Sequence, residues 1–165
     1  IVTDFLNFAR PPTPNLTFCR VEEILEKNLK FLAPEIHNKG YTVYQEIATE
    51  VPEVQADPGL LYQAFLNVLI NAMHAMPNGF KILVEVSVKG KMVQAVFTDE
   101  GPGISEDMLG KIWDPFFTTK DKGSGLGLPI VKKIIEGLGG TVDLRNADKA
   151  GAQVIISFPI EGRKE

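Results

Sequence analysis

Two polar stretches hold residue types at spacings that could do chemistry. Asn67, Asn71 and His74 stand four and three residues apart in a segment of helical periodicity, so a helix would carry all three on one face. Leu61, Phe65, Val68, Ala72 and Met76 then take the opposite, core-facing side. An amide oxygen at Asn71 would suit a hard cation such as Mg²⁺, which keeps several waters and takes few protein ligands. A plain solvated asparagine on a helix surface fits the same pattern. The second stretch is Asp99-Glu100-Gly101-Pro102-Gly103-Ile104. Asp99 ends a strand in phase with Ala95 and Phe97, which turns its carboxylate toward the apolar side, where an ionised group is costly without a partner. A bound base with an exocyclic amine would supply a donor, and the glycines would let backbone pass close to it. Alone, the segment also reads as a strand end followed by a Gly-Pro-Gly turn.

Two further segments extend the set. Trp113-Asp114-Pro115-Phe116-Phe117-Thr118-Thr119-Lys120 places adjacent phenylalanines in a polar loop; they need a dry groove, a partner, or anchoring on the core. Gly123-Ser124-Gly125-Leu126-Gly127-Leu128 leads directly into a helical pattern, and backbone N–H groups at a glycine-rich helix start form an anion site. A Walker loop would need Lys and Ser/Thr after the last glycine, where Leu128 and Pro129 stand, and a dinucleotide fingerprint would need glycine at 128 and a strand immediately upstream. Taken together, the four segments describe one pocket: metal ligand, base reader, lid and phosphate loop.

The elements that must position these groups are legible in outline. Ile1, Phe5, Leu6 and Phe8 have helical spacing before Pro11, Pro12 and Pro14 interrupt it. Residues 1–12 therefore read as the end of an upstream helix plus a linker, and 13–165 as one domain. Leu16 to Arg20 is a short first strand. Val21 to Lys39 is amphipathic, with Ile24, Leu25, Leu29, Leu32 and Ile36 on one side, and Gly40 ends it. Tyr41 to Ala48 alternates as a strand. Asp57 offers an N-cap with Pro58 at the first helical position, for a helix running to about Met76. Ile82 to Val88 and Met92 to Asp99 read as neighbouring strands, Ser105 to Lys111 as a short helix, and Trp113 to Gly125 as a long irregular loop. Leu128 to Leu138 is helical, and Thr141 to Arg145 and Gln153 to Phe158 are the last strands. This pattern predicts an α+β fold, a two-layer sandwich whose mixed, mostly antiparallel sheet is covered on one face by helices.

Composition narrows the function. The chain has 165 residues and a net charge of −4, enough length for a real core and a balance that argues against a nucleic-acid partner. Its apolar runs, such as Val68 to Ile70, are too short to span a bilayer, so no membrane contact by this domain is expected. A lone Cys19 cannot make an internal disulfide, which suits a reducing, cytoplasmic setting. With no initiator Met, the chain reads as a piece of a longer protein, which could itself be membrane-anchored.

In order along the chain, Asn67 to Ala72 (NVLINA), Asp99 to Ile104 (DEGPGI), Asp114 to Lys120 (DPFFTTK) and Gly123 to Leu128 (GSGLGL) resemble the N, first glycine, F and second glycine boxes of sensor histidine kinases. Gly137 to Thr141 resembles that family's glycine-containing turn before the last strands, and Ile1 to Pro12 the end of its second dimerisation helix. The resemblance implies the family's Bergerat-type ATP-binding fold, with ATP and Mg²⁺ as cofactors and ADP as product. It further implies that Asn71 coordinates Mg²⁺, that Asn67 supports the phosphate side, and that Asp99 binds the adenine amine beside Gly101, Gly103 and Ile104. Ser124, Gly125, Leu126, Gly127 and Leu128 would bring the lid to the phosphates, and Lys120 would add a cationic contact. His74 departs from the family, many of whose members carry Lys or Arg there; a neutral imidazole would weaken a phosphate contact. Neither His37 nor His74 matches the phosphoacceptor box, so the resemblance implies no catalytic residue within this chain and an acceptor histidine upstream of Ile1. Implied partners are the kinase's own dimerisation and histidine-phosphotransfer domain and a response-regulator receiver domain. The isolated domain would be monomeric and the full kinase homodimeric. The related gyrase-, mismatch-repair- and chaperone-type ATPases carry a catalytic glutamate where Asn67 stands; a nucleotide-binding regulatory module without catalysis is the other alternative.

Overall fold

The computed structural model describes residues 13–74, 76, 79, 81–114, 127–147 and 151–160. The reading of residues 1–12 lies outside them. Five strands form the main sheet: β2 (Thr42–Ile47), β4 (Lys81–Lys89), β5 (Met92–Asp99), β6 (Thr141–Asn146) and β7 (Ala152–Pro159), in the order β2-β4-β5-β7-β6. Only the β2–β4 pair is parallel; the other three pairs are antiparallel. Burial alternates along β4 and β5, and Val84, Phe97 and Val154 form one buried cross-strand row and Val86, Ala95, Ile156 and Val142 the next.

Helices cover that buried face. Helix α1 (Val21–Asn38) buries Val21, Ile24, Leu25, Asn28 and Leu32, and α2 (Pro58–His74) buries Leu61, Ala64, Phe65, Val68, Leu69, Ala72 and Met73. Both sets have the spacing of one helix stripe. The Phe65 and Phe97 rings meet with centroids 5.5 Å apart, fixing α2 on β5. Helix α4 (Gly127–Gly137) packs beside α2, burying Ile130, Val131, Ile134 and Ile135, while α3 (Glu106–Leu109) is a single capped turn. The opposite face of the sheet is half-open and carries polar cross-strand pairs, among them Gln94 with Ser157 and Gln153 with Thr98.

The helix boundaries follow the expected chemistry. Asp57 Oδ1 accepts from the Gly59 and Leu60 N–H groups at 3.0 and 3.2 Å, and its Oδ2 accepts from Asn15 N–H at 2.8 Å. At the end of α1, Gly40 has φ +72°, and the Gly40 and Tyr41 N–H groups donate to His37 and Ile36 carbonyls, the paired bonds of a glycine-terminated helix. One strand was not anticipated. β3 (Val54–Ala56) follows Pro52 and is too short to show a period; it pairs with β1 (Thr17–Cys19) in a separate two-stranded sheet. Asp57 therefore caps α2 and ties it to the chain leading into β1. In that small sheet burial pushes the Cys19 thiol up, with the Glu53 and Asp57 carboxylates adding to the effect.

Replacing Asp57 with alanine removes both the cap and the Asn15 bond. The expected loss is about 1–2 kcal/mol of unfolding free energy, read as a lower urea midpoint at unchanged slope.

Candidate functional site

The site lies where the C-terminal turns of α2 approach the end of β5. On α2, Asn67 and Asn71 are half-buried and His74 is exposed, so the three polar residues share the face turned away from the core stripe. Just past the helix, buried Met76 fixes the approach. Its sulfur accepts from Glu100 N–H at 3.2 Å, and the Tyr41 hydroxyl lies 2.8 Å from Met73 O and 3.0 Å from Met76 O. Met73 O also accepts from Met76 N–H at 3.3 Å, and the Tyr41 hydroxyl adds a donor at this helix end. Glu100 in turn accepts from Lys81 N–H at 3.1 Å. The Met76 contact ties the end of α2 to the residue after Asp99, and Glu100 ties that residue to the start of β4.

Asp99 sits where alternation along β5 puts it, on the buried face and only 7% exposed. Its Oδ1 accepts from Gly101 N–H at 2.8 Å and from Ala152 N–H at 3.1 Å. Two backbone donors on one oxygen offset part of the desolvation of the carboxylate and orient its plane. The following loop is anchored at its other end by Asn146, the last residue of β6: its Oδ1 accepts from Ile104 N–H and its Nδ2 donates to Ile104 O, both at 2.8 Å. Gly101 is buried, and Gly103 and Ile104 are half-buried.

Glycine is required twice here. Gly103 has φ +80°, and a Cβ there would stand 2.7 Å from Asn146 Oδ1. Gly151 has φ +86°, and a Cβ would overlap the Asp99 carbonyl oxygen and stand 2.8 Å from Asp99 Oδ1. The turn into β7 therefore passes against the back of Asp99 at a distance only glycine allows.

Of the residues singled out in the sequence, Asn67, Asn71 and His74 stand on α2, and Asp99, Gly101, Gly103 and Ile104 at the end of β5 and in the loop after it. Gly127 is the first residue of α4, so the glycine run does lead straight into a helix, and Leu128 is buried at its start. Lys120, Ser124, Gly125 and Leu126 lie outside the described residues, as do Phe116 and Phe117. Trp113, which precedes them, packs partly against the core, with Lys132 Nζ of α4 5.6 Å from its ring centroid. Asn146, Gly151, Ala152 and Tyr41 were not singled out. Their partners are far away in sequence (42 positions from Asn146 to Ile104, 53 from Ala152 to Asp99), and only the glycine at 151 gave any signal. Among the described residues, no group of three or more His, Cys, Asp and Glu side chains could hold a metal ion. A cation here would have to rely on few protein ligands.

Residues 56–162 match the family of histidine kinase-, DNA gyrase B- and HSP90-like ATPases. Sensor histidine kinase ZraS of Escherichia coli strain K12 is 31% identical over 160 residues, covering 97% of this chain and 34% of that protein. The chain spans about a third of the length of such curated relatives. The nucleotide-free catalytic domain of histidine kinase ThkA superposes with a TM-score of 0.81 at 30% identity, over 88% of this chain and 95% of that one. ThkA in complex with the response regulator protein TrrA gives 0.86 at 27% identity, over 99% of this chain and 47% of that one. Full-length ShkA in complex with AMPPNP gives 0.84 at 29% identity, over 96% and 35%. The chain belongs to this ATPase family and, within it, to the ATP-binding catalytic domains of histidine kinases.

If the turn at Gly151 holds Asp99 as described, Gly151→Ala lowers unfolding free energy by about 2–4 kcal/mol, from backbone strain plus overlap. Gly110→Ala is the control: its φ is −73° and a Cβ would meet nothing within 4 Å, so it stays within about 0.5 kcal/mol of the parent. Parallel urea titrations decide.

Proposed function

We propose that this domain holds ATP with Mg²⁺ so that its γ-phosphoryl group passes to a histidine of a dimerisation domain outside the chain. The phosphoryl group would then be relayed to an aspartate of a response regulator. In the first transfer the bond between the γ-phosphorus and the bridging oxygen breaks, a P–N bond to the imidazole forms, and ADP leaves. Such reactions depend mainly on positioning and charge stabilisation. The domain's task is therefore to bind and orient. The observation that carries the reading is the buried Asp99 carboxylate, held by Gly101 and Ala152 N–H groups in a loop that Met76, just past α2, contacts.

In this reading Asp99 accepts from the exocyclic amine of adenine, and Gly101, Gly103 and Ile104 form the adjoining wall. Asn71 supplies an amide oxygen to the cation, and Asn67 and His74 flank the phosphates from the same helix face. Mg²⁺, when bound, would neutralise phosphate charge. A half-buried amide with no carboxylate cluster among the described residues suits a cation that keeps most of its waters. Gly127 and Leu128 open α4, and Ser124, Gly125, Leu126 and Lys120 are proposed as lid contacts to the phosphates. Asn67 also bears on the choice between transfer and hydrolysis: an amide at that place cannot act as general base toward water.

Several whole-protein readings rest on resemblance. Residues 1–12 would end a dimerisation helix, the full kinase would be a homodimer, and the domain would work in the cytoplasm. Among the described residues no helix is long and apolar enough to cross a membrane. TrrA bound to ThkA supports a receiver-domain partner, and AMPPNP bound to ShkA supports the nucleotide.

Calorimetric titration of the chain with ATP tests the site. Asp99→Asn turns one face of the carboxylate into a donor and should weaken binding about 10- to 100-fold, the scale of a charged hydrogen bond. Asn71→Ala should remove most of the gain in affinity that Mg²⁺ confers. With labelled ATP the chain alone should stay unlabelled, while a separately purified acceptor-histidine domain gains acid-labile phosphate in its presence. Unchanged affinity in both variants would exclude this site.

A further inference from the structure

The loop from Asp99 to Ile104 is pinned at two points. At its start, Asp99 Oδ1 takes the Gly101 N–H; at its end, the Asn146 carboxamide closes both hydrogen bonds on the backbone of Ile104. The second contact is unusual in its economy. Asn146 is an exposed side chain that could satisfy itself with water, yet it spends its acceptor and a donor on one peptide segment 42 positions away. Only one orientation of the amide serves both bonds. Ordering an exposed side chain has an entropy cost, which the two bonds to Ile104 must outweigh.

The two bonds fix the far end of the loop, just before Ser105 caps α3. Gly103 in the left-handed region would give the loop many conformations. In the folded chain Gly103 lies directly under the Asn146 oxygen, where a Cβ would come within 2.7 Å. We infer that Asn146 is a positioning residue for nucleotide binding: its amide holds the Gly103–Ile104 segment in place as a preformed wall beside Asp99. This rests on the reading of Asp99 as the base-binding group. The benefit is preorganisation, because a wall already in place does not have to be ordered when the nucleotide arrives. The clamp also makes β6, at the edge of the sheet, a structural support of the nucleotide loop.

The test uses the full 165-residue chain, ADP as the probe, and three measurements: ADP affinity by calorimetry, amide hydrogen exchange at Ile104, and the urea midpoint. Asn146→Ala should speed exchange at Ile104 and weaken ADP binding about three- to tenfold, the range of one or two neutral hydrogen bonds. Its urea midpoint should fall only modestly, because two hydrogen bonds but no buried packing are lost. Asn146→Asp keeps the acceptor for the Ile104 N–H but sets an oxygen against Ile104 O, so it should weaken ADP binding likewise while exchange at Ile104 changes less than in the alanine variant. In Asn146→Ala, faster exchange with affinity within twofold of the parent would overturn the inference, as would unaltered exchange at Ile104. A parent chain that fails to bind ADP would overturn the reading of the site itself. Normal binding by the parent and a loss in Asp99→Asn, with none in either Asn146 variant, would overturn only the role given to Asn146.

Discussion

The arrangement depends on a carboxylate in the buried layer of a sheet. Alternation along β5 gives Asp99 the same side as Ala95 and Phe97, and an ionised group in that layer is sustained only by donors. Two come from the chain itself, the N–H groups of Gly101 and Ala152. This single requirement accounts for much of the local covalent pattern. The chain turns just after Asp99 and brings the Gly101 N–H back onto the carboxylate. A glycine must stand at 151, because the strand that brings the second donor passes against the Asp99 backbone.

The remaining architecture places this acid next to a helix. The Phe65–Phe97 contact seats α2 on β5, and the Met76 sulfur and Tyr41 hydroxyl fix the end of α2 against the loop. The last turns of α2, which carry Asn67, Asn71 and His74, thereby end beside the loop that follows Asp99. A two-layer fold suits this purpose. Helices cover one face only, so a strand end and a helix face can border a cleft without a third layer closing over it. The other face of the sheet, with its Gln, Thr and Ser pairs, takes no part in the site.

Much of the fold was legible because it is periodic. The stripes of α1 and α2, the alternation of β4 and β5, the Asp57-Pro58 helix start and Gly40 at a helix end are all local signals, and each matches an element within a residue or two. Short elements were not legible. Three-residue β3 shows no period, and its pairing with β1 was hidden because their partners lie about forty positions apart. The site divided in the same way. Asp99 could be assigned a buried carboxylate from strand phase alone, and Asn67, Asn71 and His74 a common face from spacing alone. Asn146 and Ala152 could not be found, since what makes them matter is contact across the sheet, which no window along the chain contains.

The most direct test of this account is a backbone amide map of the chain titrated with ADP and Mg²⁺ by nuclear magnetic resonance. The account predicts that the largest shifts fall on residues 99–104, on Asn67 to His74 and on Ala152, where the bonds around Asp99 would feel a bound base and phosphates. Shifts confined to the open face of the sheet, around Glu85, Val96 and Ile155, would contradict it.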